Sequence, residues 1–480
     1  MFDVIVIGGG PAGVTAALRA RELGASVALV ERGRMGGTCT NDGCVPTRVL
    51  AKAARLVRDG EQLGDYGLIG ERPAVDFPRL LERAKALVDQ IHDKKRLDQH
   101  LDRAGVACFH GAARFADDHT LVLDGQTSLQ GEKFIICAGG RARRLPFPGG
   151  ELALTHSDVW SLPKLPRSVA VVGSAATGCQ LASVFAAFGS KVWLLDLAPR
   201  ILPGEDELVS QVIADAFTRR KIEIVPGIGG VERLERHGDT IHFHYTHQGE
   251  GRMLAVEAVI LAVGWPGNVD TLNLAAANVQ TERNYIVVDD HLRTSTPHIF
   301  AAGDITGRMM LVQSASFEAR IAAENAVRDA GLAIPHLIVP HGGFTDPEYG
   351  SVGLTEQQAR AHHNYCSVEV NYAELDRAVI DGRTEGFCKL IVSRTSHQIV
   401  GAHVVGEQAV EIVQLIAAGM AAGTHVEQLA QLELAYPTFT GIVGLAARQV
   451  VRDLEIVPLA PEWRSLEDPR GVEWERREQV

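Results

Sequence analysis

Two kinds of apolar spacing alternate along the chain, and together they predict an α/β protein. Asp3-Val4-Ile5-Val6-Ile7, Val27-Ala28-Leu29-Val30-Glu31, Val169-Ala170-Val171-Val172 and Val192-Trp193-Leu194-Leu195-Asp196 are short, nearly continuous apolar runs. Runs of that length, rich in β-branched residues, read as strands buried on both faces of a parallel sheet. Residues 76–104 alternate apolar and charged positions at helical spacing, which predicts a pair of helices. Residues 397–427 read as strand, glycine and then an apolar helix, Val410 to Ala422, packed at a subunit interface. From Ile456 the chain is rich in Pro, Glu and Arg and loses helical periodicity. Its two tryptophans, Trp463 and Trp474, predict that this tail docks on the body or on a partner subunit.

Each pair of predicted strands frames a glycine turn and an Ala-rich helix. In Gly8-Gly9-Gly10-Pro11-Ala12-Gly13, Gly8 permits the tight turn, Gly10 lets the backbone approach a pyrophosphate, and Gly13 lets helix and strand pack closely. The pyrophosphate belongs on the helix N-terminus, and Glu31 at the end of the second strand is placed to hold a ribose hydroxyl. The arrangement returns in Gly173-Ser174-Ala175-Ala176-Thr177-Gly178, with Asp196 as far from Gly173 as Glu31 is from Gly8. Asp196 accepts a ribose hydroxyl and repels a 2′-phosphate, which favours NADH; Arg200 close by works against that preference and leaves NADPH open. Ala175 replaces the middle glycine and is expected to crowd the pyrophosphate. The competing reading of this second copy is a nucleotide fold that binds poorly. Between the copies lies Gly36-Gly37-Thr38-Cys39-Thr40-Asn41-Asp42-Gly43-Cys44. On a helix starting near Thr38, Cys39 and Cys44 fall one turn apart on one face, close enough to bridge, and the helix dipole favours their thiolates. A reduced buried pair is the alternative; zinc lacks a second Cys/His pair with ligand spacing, and no metal-ligating set is read elsewhere. The pair reads as a redox-active disulfide, and two nucleotide folds flanking it fit one site for a flavin, one for a nicotinamide, and electron flow from flavin to sulfur.

Composition narrows the field. The 480 residues suggest roughly three domains at about 150 residues each. With 47 Lys and Arg against 59 Asp and Glu, the net charge of −12 disfavours nucleic acid or an anionic membrane as partner. No apolar run approaches the ~18 residues of a membrane span. The N-terminus enters a strand directly, with no room for a signal peptide. Seven cysteines, an odd count scattered apart from the one pair, argue against a secreted disulfide framework and for a cytoplasmic location. Cys108, Cys137, Cys179, Cys366 and Cys388 read as structural, and the His362-His363 doublet as loop.

Taken together, these motifs resemble the flavin-dependent pyridine nucleotide–disulfide oxidoreductases, the family of dihydrolipoamide dehydrogenase, glutathione reductase and mercuric reductase. Phe134-Ile135-Ile136-Cys137-Ala138-Gly139-Gly140 is similar to the strand and turn closing that family's first FAD segment. Thr296-Pro297-His298-Ile299-Phe300-Ala301-Ala302-Gly303-Asp304 resembles its second FAD motif, which implies that Asp304 bonds the ribitol. Gly37, Thr38 and Gly139 join the cofactor-binding set by the same resemblance. Phe344 through Glu356 resembles the start of the dimerisation domain, and Asp376-Arg377-Ala378 with Gly386 through Leu390 leans towards mercuric-reductase-like members. The resemblance implies that Cys39 is the interchange thiol and Cys44 the charge-transfer thiolate. It also implies FAD, a nicotinamide donor and a homodimer whose active site draws on both subunits.

Three departures bear on the reaction. The family's His-Pro-Thr segment, with a glutamate five residues past the histidine, stands here as Tyr436-Pro437-Thr438-Phe439-Thr440-Gly441. A histidine that shuttles protons to a thiol is worth ~100- to 10,000-fold in rate, whereas tyrosine, with an ordinary pKa near 10, is a poor base at neutrality; the bland reading is that Tyr436 packs at the dimer interface. The family's Lys–Glu pair near the flavin becomes Arg48 and Gln180, which shifts the local charge from about zero to about +1 and is expected to raise the flavin potential; the bland reading is two surface positions. Mercuric reductases carry a cysteine pair near the C-terminus, and no cysteine follows Cys388 here.

The expected architecture is therefore two Rossmann-like domains, FAD- and NAD-binding, plus an α+β C-terminal dimerisation domain. The boundaries are 1–148 for the first FAD segment, 149–263 for the nicotinamide domain, 264–334 for the second FAD segment, 335–455 for dimerisation and 456–480 for the tail. The expected activity passes hydride through FAD to the Cys39–Cys44 disulfide and on to a disulfide or soft-metal acceptor, small molecule or protein. Two alternatives stand beside it: a diaphorase reducing quinones or oxygen, and a redox-sensing flavoprotein with little turnover.

Overall fold

The computed structural model describes residues 1–335, 338–362 and 364–456. The predicted docking of the tail falls on residues 457–480 and, like the His363 half of the histidine doublet, lies outside the described residues. β1 (Phe2–Ile7), α1 (Pro11–Glu22) and β2 (Val27–Glu31) form the first βαβ unit, with Val4 paired to Val27 and Ile7 to Val30 in parallel register. Alanine at 12, 16, 17 and 20 keeps one face of α1 flat and buried, so the helix packs closely on the sheet and on the later helix Val312–Arg328.

The short helix α2 (Gly37–Asn41) precedes α3 (Cys44–Glu61), and the predicted helix pair follows as α4 (Phe77–Lys95) and α5 (Leu97–Arg103). β3 (Ala107–His110) then extends the parallel sheet beside β2. The hairpin β4 (Ala113–Phe115) and β5 (Thr120–Leu123) leads into β6 (Thr127–Ile136). β6 plays two parts: its first half is antiparallel to β5, and its second half is parallel to β1 and to the strand Ile299–Ala301. Both segments that resemble FAD motifs therefore end side by side.

The second nucleotide fold is a separate four-stranded parallel sheet, ordered Ala258–Leu261, Ser168–Val172, Lys191–Asp196 and Glu223–Pro226, beside three antiparallel strands of residues 228–256. The C-terminal region is a five-stranded antiparallel sheet, against which Ala409–Ala421 and Gly441–Asp453 pack. The expected strand, glycine and apolar helix of residues 397–427 are Ile399–Val405, Gly406 and Ala409–Ala421. Among the described residues no helix is long and apolar enough to cross a membrane.

Candidate active site

The two glycine turns repeat each other in space. Gly8 has φ +109°, and a Cβ there would lie 2.3 Å from the Cys137 carbonyl oxygen. A Cβ on Gly13 would lie 1.7 Å from the Gly8 carbonyl oxygen, so only hydrogen fits between helix and strand. Gly173 and Gly178 meet the same obstacles, at 2.3 Å from Ala262 O and 1.8 Å from Gly173 O. Gly10 caps α1 with no side chain on the free N–H groups, and the space beside it is open except for Gly37 Cα, 3.7 Å from where a Cβ would lie. Ala175 occupies the corresponding cap at φ −75°, ψ −174°, against −74° and −176° for Gly10. That backbone suits any residue, so the substitution costs only the volume of one exposed methyl.

The terminal acids tie their turns together. Glu31 accepts the Gly9 N–H at 2.6 Å and the Gly33 N–H at 2.7 Å. Asp196 accepts from Ser174 N–H and Oγ and from Ala198 N–H. Arg200 directs its guanidinium to the carbonyls of Leu202, Pro203 and Glu205. Both terminal nitrogens are thus engaged by the chain itself.

The cysteine pair departs from the expected single helix. Asp42 and Gly43 both donate to the Thr38 carbonyl, which ends α2, and α3 begins at Cys44. Gly43 needs its missing side chain, because a Cβ would stand 3.0 Å from Thr38 O. Cys44 therefore lies in the first turn of an 18-residue helix, where the dipole favours an anion. The sulfurs are not bonded to one another in this structure. The Cys39 thiol donates to Cys44, which lowers Cys44 to about 7 against the opposing effects of burial and Asp304. The same hydrogen bond, with burial, pushes Cys39 strongly upward. Lys95 favours both thiolates and donates to Thr40 at 3.1 Å, while His92 bonds Asn41 at 2.7 Å, so α4 braces α2. Burial raises Cys137, Cys179 and Cys366, and pushes Cys388 up to about 12. Cys108 is exposed and also raised by burial. Among the seven, only Cys44 is shifted towards the thiolate.

Asp304 closes the site. Burial raises its carboxyl, and Trp265 Nε1 donates to it at 3.1 Å. Trp265 lies against His156, ring centroids 5.0 Å apart, and Ser157 beside it donates to Asp42 at 2.6 Å. Trp265, His156 and Lys95 are tertiary neighbours of the cysteine turn without a motif of their own, and the sequence reading missed them. Gly139 is in the left-handed region at φ +65° with open space around it, and its carbonyl accepts the Asn268 N–H.

Arg48 and Gln180 do not pair. Arg48 bonds Glu348 at 2.9 Å and lies over the Phe344 ring at 4.2 Å, whereas Gln180 accepts the Phe344 N–H and donates to Ala176 O. Glu348 is buried and also meets Arg55, so the extra positive charge expected here is met by a carboxylate. Tyr436 is 73% exposed on the single chain, so contacts within the protomer leave most of it uncovered. Its hydroxyl donates to Asp376, within a cavity of about 440 Å³ lined also by Arg377, Thr438, Gly441 and Arg448. All of that lining comes from the C-terminal region, and the cysteines are not part of it.

The profile described as pyridine nucleotide-disulphide oxidoreductase matches residues 2–319, and that of its dimerisation domain matches residues 339–447. The mercuric reductase of Staphylococcus aureus is 31% identical over 459 residues, 94% of this chain and 83% of that one. The dihydrolipoyl dehydrogenase of Geobacillus stearothermophilus is 31% identical over 454 residues, 93% and 96% of the two chains. Among solved structures, the HOCl-induced flavoprotein disulfide reductase RclA from Escherichia coli matches with a TM-score of 0.83 and 27% identity over 93% of this chain and 99% of that one. A Cu(II) complex of RclA matches with the same score.

Proposed function

The chain belongs to the pyridine nucleotide-disulphide oxidoreductase family, whose members are FAD-dependent enzymes fed by NAD(P)H, and from that membership we propose that it delivers electrons through Cys39 and Cys44 to a disulfide or a soft metal ion. The observation that carries this reading is the hydrogen-bonded Cys39–Cys44 pair, with Cys44 in the first turn of α3 and lowered from its ordinary value by Cys39.

The residues present fit FAD. The uncapped start of α1 and the space at Gly10 and Gly37 suit its pyrophosphate, Glu31 the adenosine ribose, and Asp304 the ribitol. Thr38 and Gly139 complete that set. When bound, FAD supplies hydride chemistry between the nicotinamide and the sulfur pair. Gly173, Gly178 and Asp196 receive the nicotinamide dinucleotide. We assign NADH, because Asp196 repels a 2′-phosphate and both terminal nitrogens of Arg200 are turned to backbone carbonyls. The dimerisation domain implies a homodimer, which gives the Tyr436 cavity access to a partner's cysteines.

On a disulfide acceptor, the Cys39 sulfur gives up its proton and attacks one acceptor sulfur. The other acceptor sulfur leaves as a thiolate and takes a proton. Cys44 then attacks the Cys39 sulfur, re-forms the Cys39–Cys44 bond and releases the first acceptor sulfur as a thiolate that takes its proton from water, so the acceptor gains two electrons and two protons. Tyr436, bonded to Asp376, serves that proton poorly. A soft cation held by both sulfurs needs less proton movement, and thiolate ligands suit it. RclA has been solved with Cu(II) and mercuric reductase carries its metal substrate in its name, so a metal acceptor has precedent among relatives.

Tyr436 and Gly441 favour a second reading, direct reduction of quinones or oxygen with the cysteines idle. Anaerobic reduction with NADH, followed by lipoamide, glutathione disulfide, mercuric and cupric ions, quinones and oxygen, separates the two. The first reading requires that Cys39→Ser abolish turnover with the sulfur or metal acceptor while quinone reduction persists. Unchanged turnover in Cys39→Ser with every acceptor rejects it.

A further inference from the structure

Asp118 and His119, in the turn between β4 and β5, meet His298, which immediately precedes the strand Ile299–Ala301. The two imidazole rings stack, centroids 4.2 Å apart and planes 2° from parallel. Each ring commits one nitrogen to a backbone carbonyl: His119 Nδ1 to Gly131 at 2.9 Å, His298 Nε2 to Asp118 at 2.8 Å. A carbonyl only accepts, so those two nitrogens donate, which leaves His119 Nε2 and His298 Nδ1 as the nitrogens available to a ligand. Neutral imidazoles anchored on carbonyls are the form in which histidines ligate metals. One nitrogen of each ring and one Asp118 carboxylate oxygen lie within 4.8 Å of one another.

We propose that Asp118, His119 and His298 form a surface site for a borderline divalent cation, Zn2+ or Cu2+, with water completing the shell. Two imidazoles and a carboxylate suit these ions, whereas Mg2+ and Ca2+ prefer oxygen alone. Bonds of about 2.0–2.2 Å place zinc ligands roughly 3–4 Å apart, so the rings must splay about their Cβ–Cγ bonds to close on the ion. The site is independent of the cysteines. His298 stands before the N-terminal end of its strand, while Asp304, whose charge acts on Cys44, lies beyond the C-terminal end. A cation there ties the β4–β5 turn to the strand that delivers Asp304.

The test is calorimetric titration with Zn2+ alone into tag-free, FAD-loaded protein carrying Cys39→Ser and Cys44→Ser, alongside the same protein with His119→Ala or His298→Ala added. The site predicts one equivalent in the parent, and its loss or a weakening of about tenfold or more in both histidine variants. Bound Cu2+ should show the electron-spin resonance signature of two imidazole nitrogens in the parent and one in His119→Ala. His119 is exposed, so His119→Ala stays informative if His298→Ala fails to fold. No binding to the parent, or equal stoichiometry and affinity in His119→Ala, overturns the site.

Discussion

Cys44 owes its acidity to its neighbour before anything else: the Cys39 hydrogen bond is the largest influence on it, and burial opposes that bond. The reduced holoenzyme should therefore react with iodoacetamide at a rate that rises through about pH 7, because the thiolate is depleted below that value. Cys39→Ala removes the donor, and the midpoint of the same profile should move up. An unmoved midpoint would assign the acidity to the α3 dipole instead. Tyr436 belongs to the same scale. Tyr436→His restores a group that titrates near neutrality, and turnover of lipoamide or glutathione disulfide should rise at least about tenfold, a part of the usual general-base benefit because Gly441 leaves the new imidazole without its carboxylate. Steady-state kcat is the measurement, with quinone reduction unchanged as the internal control. The identity of both residues was visible in the chain. The thiol–thiolate polarity was implied by the family resemblance, but its cause was not visible: the Cys39 hydrogen bond favours the Cys44 thiolate, while burial and Asp304 oppose it.

At the scale of elements, short-range rules served well wherever one motif builds one unit. Both βαβ turns carry their glycines where backbone comes within a Cβ radius. Gly13→Ala pushes a methyl into the Gly8 carbonyl, an overlap that costs about 1–3 kcal/mol in a packed core and displaces the α1 N-terminus. Purified Gly13→Ala should retain folded secondary structure and lose most of its 450 nm flavin absorbance. The cysteine helix is where the pattern misled. Spacing alone placed both cysteines on one helix, but the Asp42–Gly43 break puts them on consecutive helices, because two N–H groups turn back to one Thr38 carbonyl. The pair α4 and α5 was legible from periodicity. Its use as a brace on α2 through His92 and Lys95 was not, since those contacts cross more than a helix length of chain.

For the whole molecule, the joint between the nicotinamide fold and the C-terminal sheet is polar and buried. Lys389 lies between Asp206 and Glu356, His403 bonds Ser351, and Glu205 meets Ser351 and His341. Burial by itself would raise Asp206, but the Glu356 N–H, His403 and Lys389 outweigh it and hold the carboxyl below its ordinary 3.8. Glu205 and Glu356 are lowered in the same way from 4.5. A depressed carboxyl stabilises the fold above its unfolded value, so this contribution is complete above about pH 5 and is lost as pH falls through the lowered values. Lys389→Met leaves two carboxylates unpaired and should cost about 3–5 kcal/mol, read as a lower melting temperature that partly recovers in acid. Glu356→Gln in the same background should soften the loss. A melting temperature equal to that of the parent at pH 7 would mean that this cluster does not join the two folds.

The amino-acid sequence by itself determined the two nucleotide folds, the cysteine pair and the missing histidine, because each is a local pattern with a backbone or chemical reason at fixed spacing. Tertiary structure alone decided that Glu348 neutralises Arg48, that Tyr436 leans on Asp376, and that His298 meets His119. Those pairings join residues tens to hundreds of positions apart. Sequence spacing carries no information about them, because only the packing of sheet on helix and domain on domain sets the distances at which charge and hydrogen bonding act.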